Sequence, residues 1–160
     1  MFYVECYADE TLISFVLHKL KTRIMLIHAG NKNRVLKELS KRQAIGLVDE
    51  DPMAPRGSVT KEFHEQITDD ILQVKIYRNS RGSRLIVLCP RLEDWLIRIC
   101  RLSKVDISKY GLPRDPEELH KVINQKRKNL KILLEDLYRR SKIFPKFVTL
   151  LSRVLSELLI

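Results

Sequence analysis

Four carboxylates stand where the chain pattern would let them do chemistry: Glu5, Asp49, Asp51 and Glu93. Glu5 lies in a short aromatic and apolar run at residues 2–6, Asp49-Glu50-Asp51 follows an apolar run at 44–48, and Glu93-Asp94 comes just after the run at 84–88 and Pro90. In an extended chain, residues two apart point to the same side, so Asp49 and Asp51 can share one cation while Glu50 points away. Like charges a few ångströms apart repel and raise one another's pKa unless a cation lies between them. Mg²⁺ or Mn²⁺ prefers such oxygen donors, and an ion held this way can orient a phosphate and stabilise attacking and leaving oxygens. These acids are therefore candidates for a divalent-metal site that handles phosphate esters.

The elements that must position them follow from the hydrophobic periods. Residues 2–6 read as a strand, Asp9 as a plausible helix cap, and Leu12, Phe15, Val16 and Leu20 as one face of the helix behind it. A strand at 23–28, a turn at Ala29-Gly30-Asn31, a helix at 31–42 and a strand at 44–48 continue the alternation. Strands alternating with helices predict right-handed crossovers and a mainly parallel sheet, and open α/β sheets gather ligands at the C-terminal ends of their strands. Pro52, Pro55 and Gly57 mark a loop, residues 60–67 read as a short helix, and 72–77 and 84–88 read as strands joined by a turn at Gly82.

Pro90 opens a helix to about Ser103, and a connector at 104–115 leads to Asp115-Pro116, a strong helix start. One long basic helix to about Lys142 is expected next, then a last helix at 146–159 with an apolar stripe of Phe147, Leu150, Leu151, Val154, Leu155 and Leu158. The division expected is an α/β domain at 1–103 and a C-terminal helical extension at 104–160. The stripe would pack on the sheet domain or on a second copy as a homodimer contact.

The chain carries 30 Lys and Arg against 20 Asp and Glu, a formal +10, which favours polyanionic partners and makes nucleic acid, DNA or RNA, the leading class. Arg56, Lys61, Arg78, Arg81 and Arg84 sit in loops and at strand starts from which they could bind substrate phosphates near the acids. A basic stripe from Lys126 to Lys142 is interrupted by Glu135 and Asp136 and reads equally well as a solvated helix face. Cys6, Cys89 and Cys100 lack metal-ligand spacing, and their odd number suits a reducing compartment, so a cytoplasmic location is expected. No apolar run reaches a membrane span of roughly 18–20 residues. His18, His28, His64 and His120 stand alone and read as packing or surface residues. The absence of a phosphate-binding glycine loop, a Gly-x-Ser-x-Gly and a Cys/His dyad leaves the common NTPase and hydrolase signatures without support.

Glu5 at the end of the first strand, Asp49-x-Asp51 at the end of the third and the alternating order resemble a Toprim domain, the fold of topoisomerase and primase cores and of OLD-type nucleases. The segment Pro90-Arg91-Leu92-Glu93-Asp94-Trp95-Leu96 is similar to the Glu-x-Trp-Leu segment of small standalone RloB-like Toprim proteins of restriction and phage-defence loci. The resemblance spans residues 2–99. It implies a Mg²⁺-dependent phosphodiesterase or nuclease, with Glu5 as general acid/base, Asp49 and Asp51 holding the metal and Glu93 completing the site. Trp95 reads as a core anchor for its helix. Cys6 stands where the family usually has glycine, and Pro52 follows Asp51 directly. The alternative is a non-catalytic module of the same fold that binds nucleic acid or a protein.

Overall fold

A computed structural model describes residues 1–50 and 62–158. Two parallel crossovers build one half of its sheet. Strand β1 (Phe2–Val4) leads through helix α1 (Tyr7–Lys19) to β2 (Leu26–His28), and helix α2 (Lys32–Lys41) returns the chain to β3 (Ile45–Asp49). Two further strands, β4 (Phe63–Asp69) and β5 (Val74–Asn79), form a hairpin, and β6 (Arg84–Leu88) inserts between β5 and β3, giving the order β2-β1-β3-β6-β5-β4. β3 and β6 are near-continuous apolar runs because both of their faces are covered. Gly46 in β3 is a point of close approach: a Cβ there would lie 2.6 Å from Val35 Cγ1, so any larger residue would push α2 off the sheet.

The sheet is mixed, so the expectation of a mainly parallel one holds in part, through four of the six strands. β2, β1, β3 and β6 run parallel, whereas β5 pairs antiparallel with both β6 and β4. The short turns on either side of β5 leave no room for a parallel crossover, which needs a dozen or more residues. Residues 62–67 also depart from the helix expected at 60–67: Phe63 begins an edge strand whose pairing with β5 overrides the helical preference of its polar residues. Asp69 Oδ1 accepts the Leu72 N–H at 2.8 Å in the turn that follows.

Helix α3 (Leu92–Leu102) follows β6, and a 3-10 turn (Ile107–Tyr110) leads to the C-terminal helices α4 (Pro116–Val122), α5 (Arg127–Arg140) and α6 (Phe144–Leu158). The single long basic helix is thus two helices, broken at residues 123–126. Asp115 caps α4 by accepting the Glu118 N–H at 3.0 Å, and Ser141 Oγ accepts the N–H groups of Ile143 and Phe144 at the start of α6.

One buried cluster runs from Phe2 and Val4 through Leu12, Trp95 and Leu133 to Phe147 and Leu155, so residues on both sides of position 103 share a core. Trp95 is its anchor: fully buried, it donates from Nε1 to the Leu72 carbonyl at 2.7 Å and meets Phe147 edge-to-face at 4.8 Å. Phe147, Leu151, Val154 and Leu155 of the α6 stripe are buried within the chain, so the exposed apolar face that suggested a homodimer contact is already covered. A smaller cluster of Tyr3, Val35, Leu39, Leu85 and Val87 fills the opposite face under α2. Among the described residues no helix is long and apolar enough to cross a membrane.

Candidate acidic site at the strand ends

The parallel register brings the C-terminal ends of β1, β3 and β6 together, with Val4 opposite Leu47 and Asp49 opposite Leu88. Just past β1, Glu5 accepts the Asp49 N–H on Oε1 at 3.0 Å, and Asp49 Oδ1 accepts the Leu92 N–H at 3.0 Å at the first residue of α3. Two of the acids expected from sequence are therefore tied to each other and to a helix N-terminus, where a negative group is favoured. The Lys32 ammonium reaches the carbonyl oxygens of Asp49 and Glu50, each at 3.1 Å, and steadies the end of β3 from below.

Glu93 enters from the first turn of α3 and is only 4% exposed. Its Oε1 lies 3.0 Å from His120 Nδ1, while its Oε2 is buried without a hydrogen-bond partner. Asp94, its neighbour, turns outward to Arg91 at 2.8 Å, and Arg91 also pairs with Glu117 at 2.9 Å. Only one member of the Glu93-Asp94 pair is thus directed to the buried cluster.

A further acid completes the group. Asp9, in the first turn of α1, is 2% exposed, and burial, then the charges of Asp49 and Glu5, hold its carboxyl well above the usual range. Burial, then Glu5 and Glu93, push Asp49 up to about 7, against the opposing pull of the Leu92 N–H and Arg91. Acids that raise one another in this way are short of positive charge, and the orphaned Glu93 Oε2 is the kind of atom a cation or a proton would satisfy.

The donor set is hard and anionic, as Mg²⁺ or Mn²⁺ requires. Among the described residues, no group of three or more His, Cys, Asp or Glu is arranged to hold a metal ion. Asp51, the expected second aspartate ligand, lies outside the described residues, as do Arg56 and Lys61. Glu50 points to Lys75, 3.4 Å away. Mg²⁺ commonly binds through one or two carboxylates with waters and substrate phosphates making up its shell, so a preformed protein cage is not a condition of binding.

The remaining basic residues expected beside the acids are elsewhere. Arg84 opens β6 opposite Ile45, four residues from the Leu88–Asp49 pair, which is roughly 13 Å along a strand. It is buried and faces Glu157 of α6 at 3.6 Å. Arg78 pairs with Arg84 across β5 and β6, and Arg81 lies in the turn between these strands, where both line a cleft of about 470 Å³ with Glu62 and His64. Arg84, at the start of the parallel β6, and Arg78 and Arg81, at the end of the reversed β5 and in the turn after it, all lie at the opposite end of the sheet from Glu5 and Asp49.

Asp9, Lys32 and His120 belong to the site without having been singled out from sequence. Asp9 carried a readable signal, since it shares helical spacing with Leu12, Ile13 and Val16, all buried. His120 carried none, because the packing of α4 on α3 determines where it lands. Compared with protein families, curated proteins and solved structures, the chain gives no match.

Proposed function

We propose that this protein is a Toprim-like phosphodiesterase that cleaves DNA or RNA with Mg²⁺ or Mn²⁺. The observation that carries the reading is the convergence of Glu5, Asp9, Asp49 and Glu93 at the strand ends, with Asp49 raised to about 7 and one buried Glu93 oxygen left without a partner. Asp49 and Glu93 would hold the ion, with Asp51 as the third ligand. The ion, when bound, supplies a Lewis acid for a phosphoryl oxygen and lowers the pKa of an attacking water. Glu5, held by the Asp49 N–H, would serve in proton transfer at the edge of the site. The +10 charge supports a polyanionic substrate, and three free cysteines support work in a reducing cytoplasm, such as that of a cell defending against phage.

The test is incubation of the pure protein with single- and double-stranded DNA and RNA in Mg²⁺ and in Mn²⁺, beside Asp49→Asn and Glu93→Gln. Metal-dependent cleavage by the parent, lost in both variants, is the expected result. A folded parent that cleaves none of the four with either ion overturns the reading in favour of a non-catalytic module.

A further inference from the structure

Beside the acidic cluster lies a stack of three planar groups from three distant segments. Tyr7 begins α1 two residues after Glu5, and His28 ends β2 opposite Val4. Their rings stack with centroids 4.4 Å apart and planes within 5°. The Arg127 guanidinium, at the start of α5, lies 4.9 Å from the Tyr7 ring centre. Asn124 Oδ1 accepts the Ala8 N–H at 2.9 Å, which fixes the approach of the α4–α5 connection to this end of α1. Despite both ring contacts Tyr7 remains 48% exposed.

At its Arg127 end the stack borders a cleft of about 430 Å³ between α1 and α5. Its wall carries His18, Arg127, Lys128 and Lys131 against Glu10 and Glu135, and Glu135 is already paired with Lys19 at 3.0 Å. The cleft is thus net positive, and its volume falls in the usual range of about 300–1,000 Å³ for a ligand site.

We infer that the Tyr7–His28–Arg127 stack and the basic cleft at its Arg127 end form a binding track for unpaired nucleotides, with bases stacking on the exposed His28 ring that Tyr7 backs and phosphates running along Arg127, Lys128 and Lys131. Every base offers a π-face, so such a platform accepts any sequence, and cations tracking the backbone add strong salt dependence. Bases inside a duplex are already stacked and cannot use it. The inference rests on nucleic acid being the substrate of the proposed function, and it narrows that substrate to single strands entering the acidic site from the α1–α5 side.

Fluorescence anisotropy in EDTA, with labelled oligothymidylate, oligouridylate and a blunt DNA hairpin, tests it without cleavage. Tyr7→Ala and His28→Ala should each weaken single-strand binding about ten-fold, and Tyr7→Phe should stay within about two-fold of the parent. Lys128→Ala with Lys131→Ala should flatten the salt dependence by about two phosphate contacts. Thermal melts matching the parent establish that the variants are folded, and the thymidylate and uridylate arms decide between DNA and RNA. A Tyr7→Ala protein that binds both oligomers like the parent, a parent that prefers the hairpin, or a parent that binds nothing at low salt overturns the inference. Tyr7-dependent binding in a parent that never cleaves sinks the enzymatic reading alone; cleavage by a parent whose Tyr7→Ala variant binds normally sinks this inference alone.

Discussion

Glu5 Oε1 accepts the main-chain N–H of Asp49 at 3.0 Å, a bond that joins residues 44 apart in sequence and locks the end of β1 to the end of β3. The donor is a backbone amide, so the bond orients the Glu5 carboxylate without adding a formal charge, and the Leu92 N–H does the same for Asp49. The nearby Lys32 ammonium is engaged by carbonyl oxygens. Burial and the neighbouring acids raise both Asp49 and Asp9, and the responses of the site to protons and cations follow from that.

The first consequence is a pH dependence of stability. Asp49 has a folded-state pKa of about 7 against 3.8 in the unfolded chain, so between these values the folded state binds more protons. Its contribution is fully present below the lower value and is lost as pH rises through the upper one. Asp49→Asn escapes this loss and should gain about 2–4 kcal/mol over the parent as pH rises from about 4.5 to 8. Denaturant unfolding in EDTA at both pH values measures the difference, and an equal gap at the two would mean that Asp49 is ionised as readily folded as unfolded.

Cations should act in the opposite sense to pH. Mg²⁺ or Mn²⁺ at about 100 times its dissociation constant should add about 2.7 kcal/mol to the parent. The gain should be larger at pH 8 than at pH 5, where protons compete for the same oxygens, and Glu93→Gln should remove most of it. Melting curves with and without each ion check this; a gain that survives in both Glu93→Gln and Asp49→Asn would place the ion elsewhere.

Much of this architecture was legible in the sequence where one period dominated. The runs at 2–6, 23–28 and 44–48 became parallel strands, β1 and β3 buried under helices whose apolar faces were also readable and β2 half-exposed at the sheet edge, and Asp49 and Glu93 were foreseeable at the ends of such runs. The placement of Arg78 and Arg81 was not, because it depends on strand direction: the run at 72–77 reads the same whether it lies parallel or antiparallel to its neighbour, yet the reversed β5 carries Arg78 and the turn with Arg81 to the far end, where Arg84 already stands as the first residue of the parallel β6. The β4 sequence carries only Phe63 and Ile67 as apolar side chains, so its identity comes from pairing with β5 and not from its own pattern. His120 reaches Glu93 because α4 packs on α3, a tertiary contact between segments 27 residues apart that no local pattern announces.

The His120–Glu93 contact makes an energetic prediction of its own. His120→Ala would leave Glu93 with both oxygens lacking this partner, but His120 is 59% exposed and water screens the pair, so the loss should be about 1 kcal/mol. Combined with Glu93→Gln in a double-mutant cycle, the effects should be non-additive by at least about 0.5 kcal/mol. Additive effects in metal-free denaturation would show that the contact carries no stability.

The C-terminal helices should melt together with the sheet, since Trp95 and Phe147 interlock across the two regions. Phe147→Ala should cost about 3–5 kcal/mol. Trp95 is the single tryptophan, so its fluorescence and far-ultraviolet circular dichroism should follow one coincident transition. Two separated transitions, with Trp95 following just one of them, would mean that residues past 103 fold independently.

The last prediction separates binding from chemistry at Glu5. Glu5→Gln keeps an acceptor for the Asp49 N–H, so the β1–β3 tie and the fold should survive, and it removes a negative charge from the mouth of a site proposed to admit phosphates. Nucleic-acid binding should therefore match the parent or be slightly tighter, with the same steep fall as salt rises, because the contacts that release counterions are elsewhere on the surface. Cleavage should fall by about 10²–10⁴-fold, the usual contribution of a positioned acid or base. Parallel binding titrations and time courses in Mn²⁺ provide both readings from one preparation. A Glu5→Gln protein that cleaves at the parent's rate would remove Glu5 from the chemistry and leave it a structural tie between two strands.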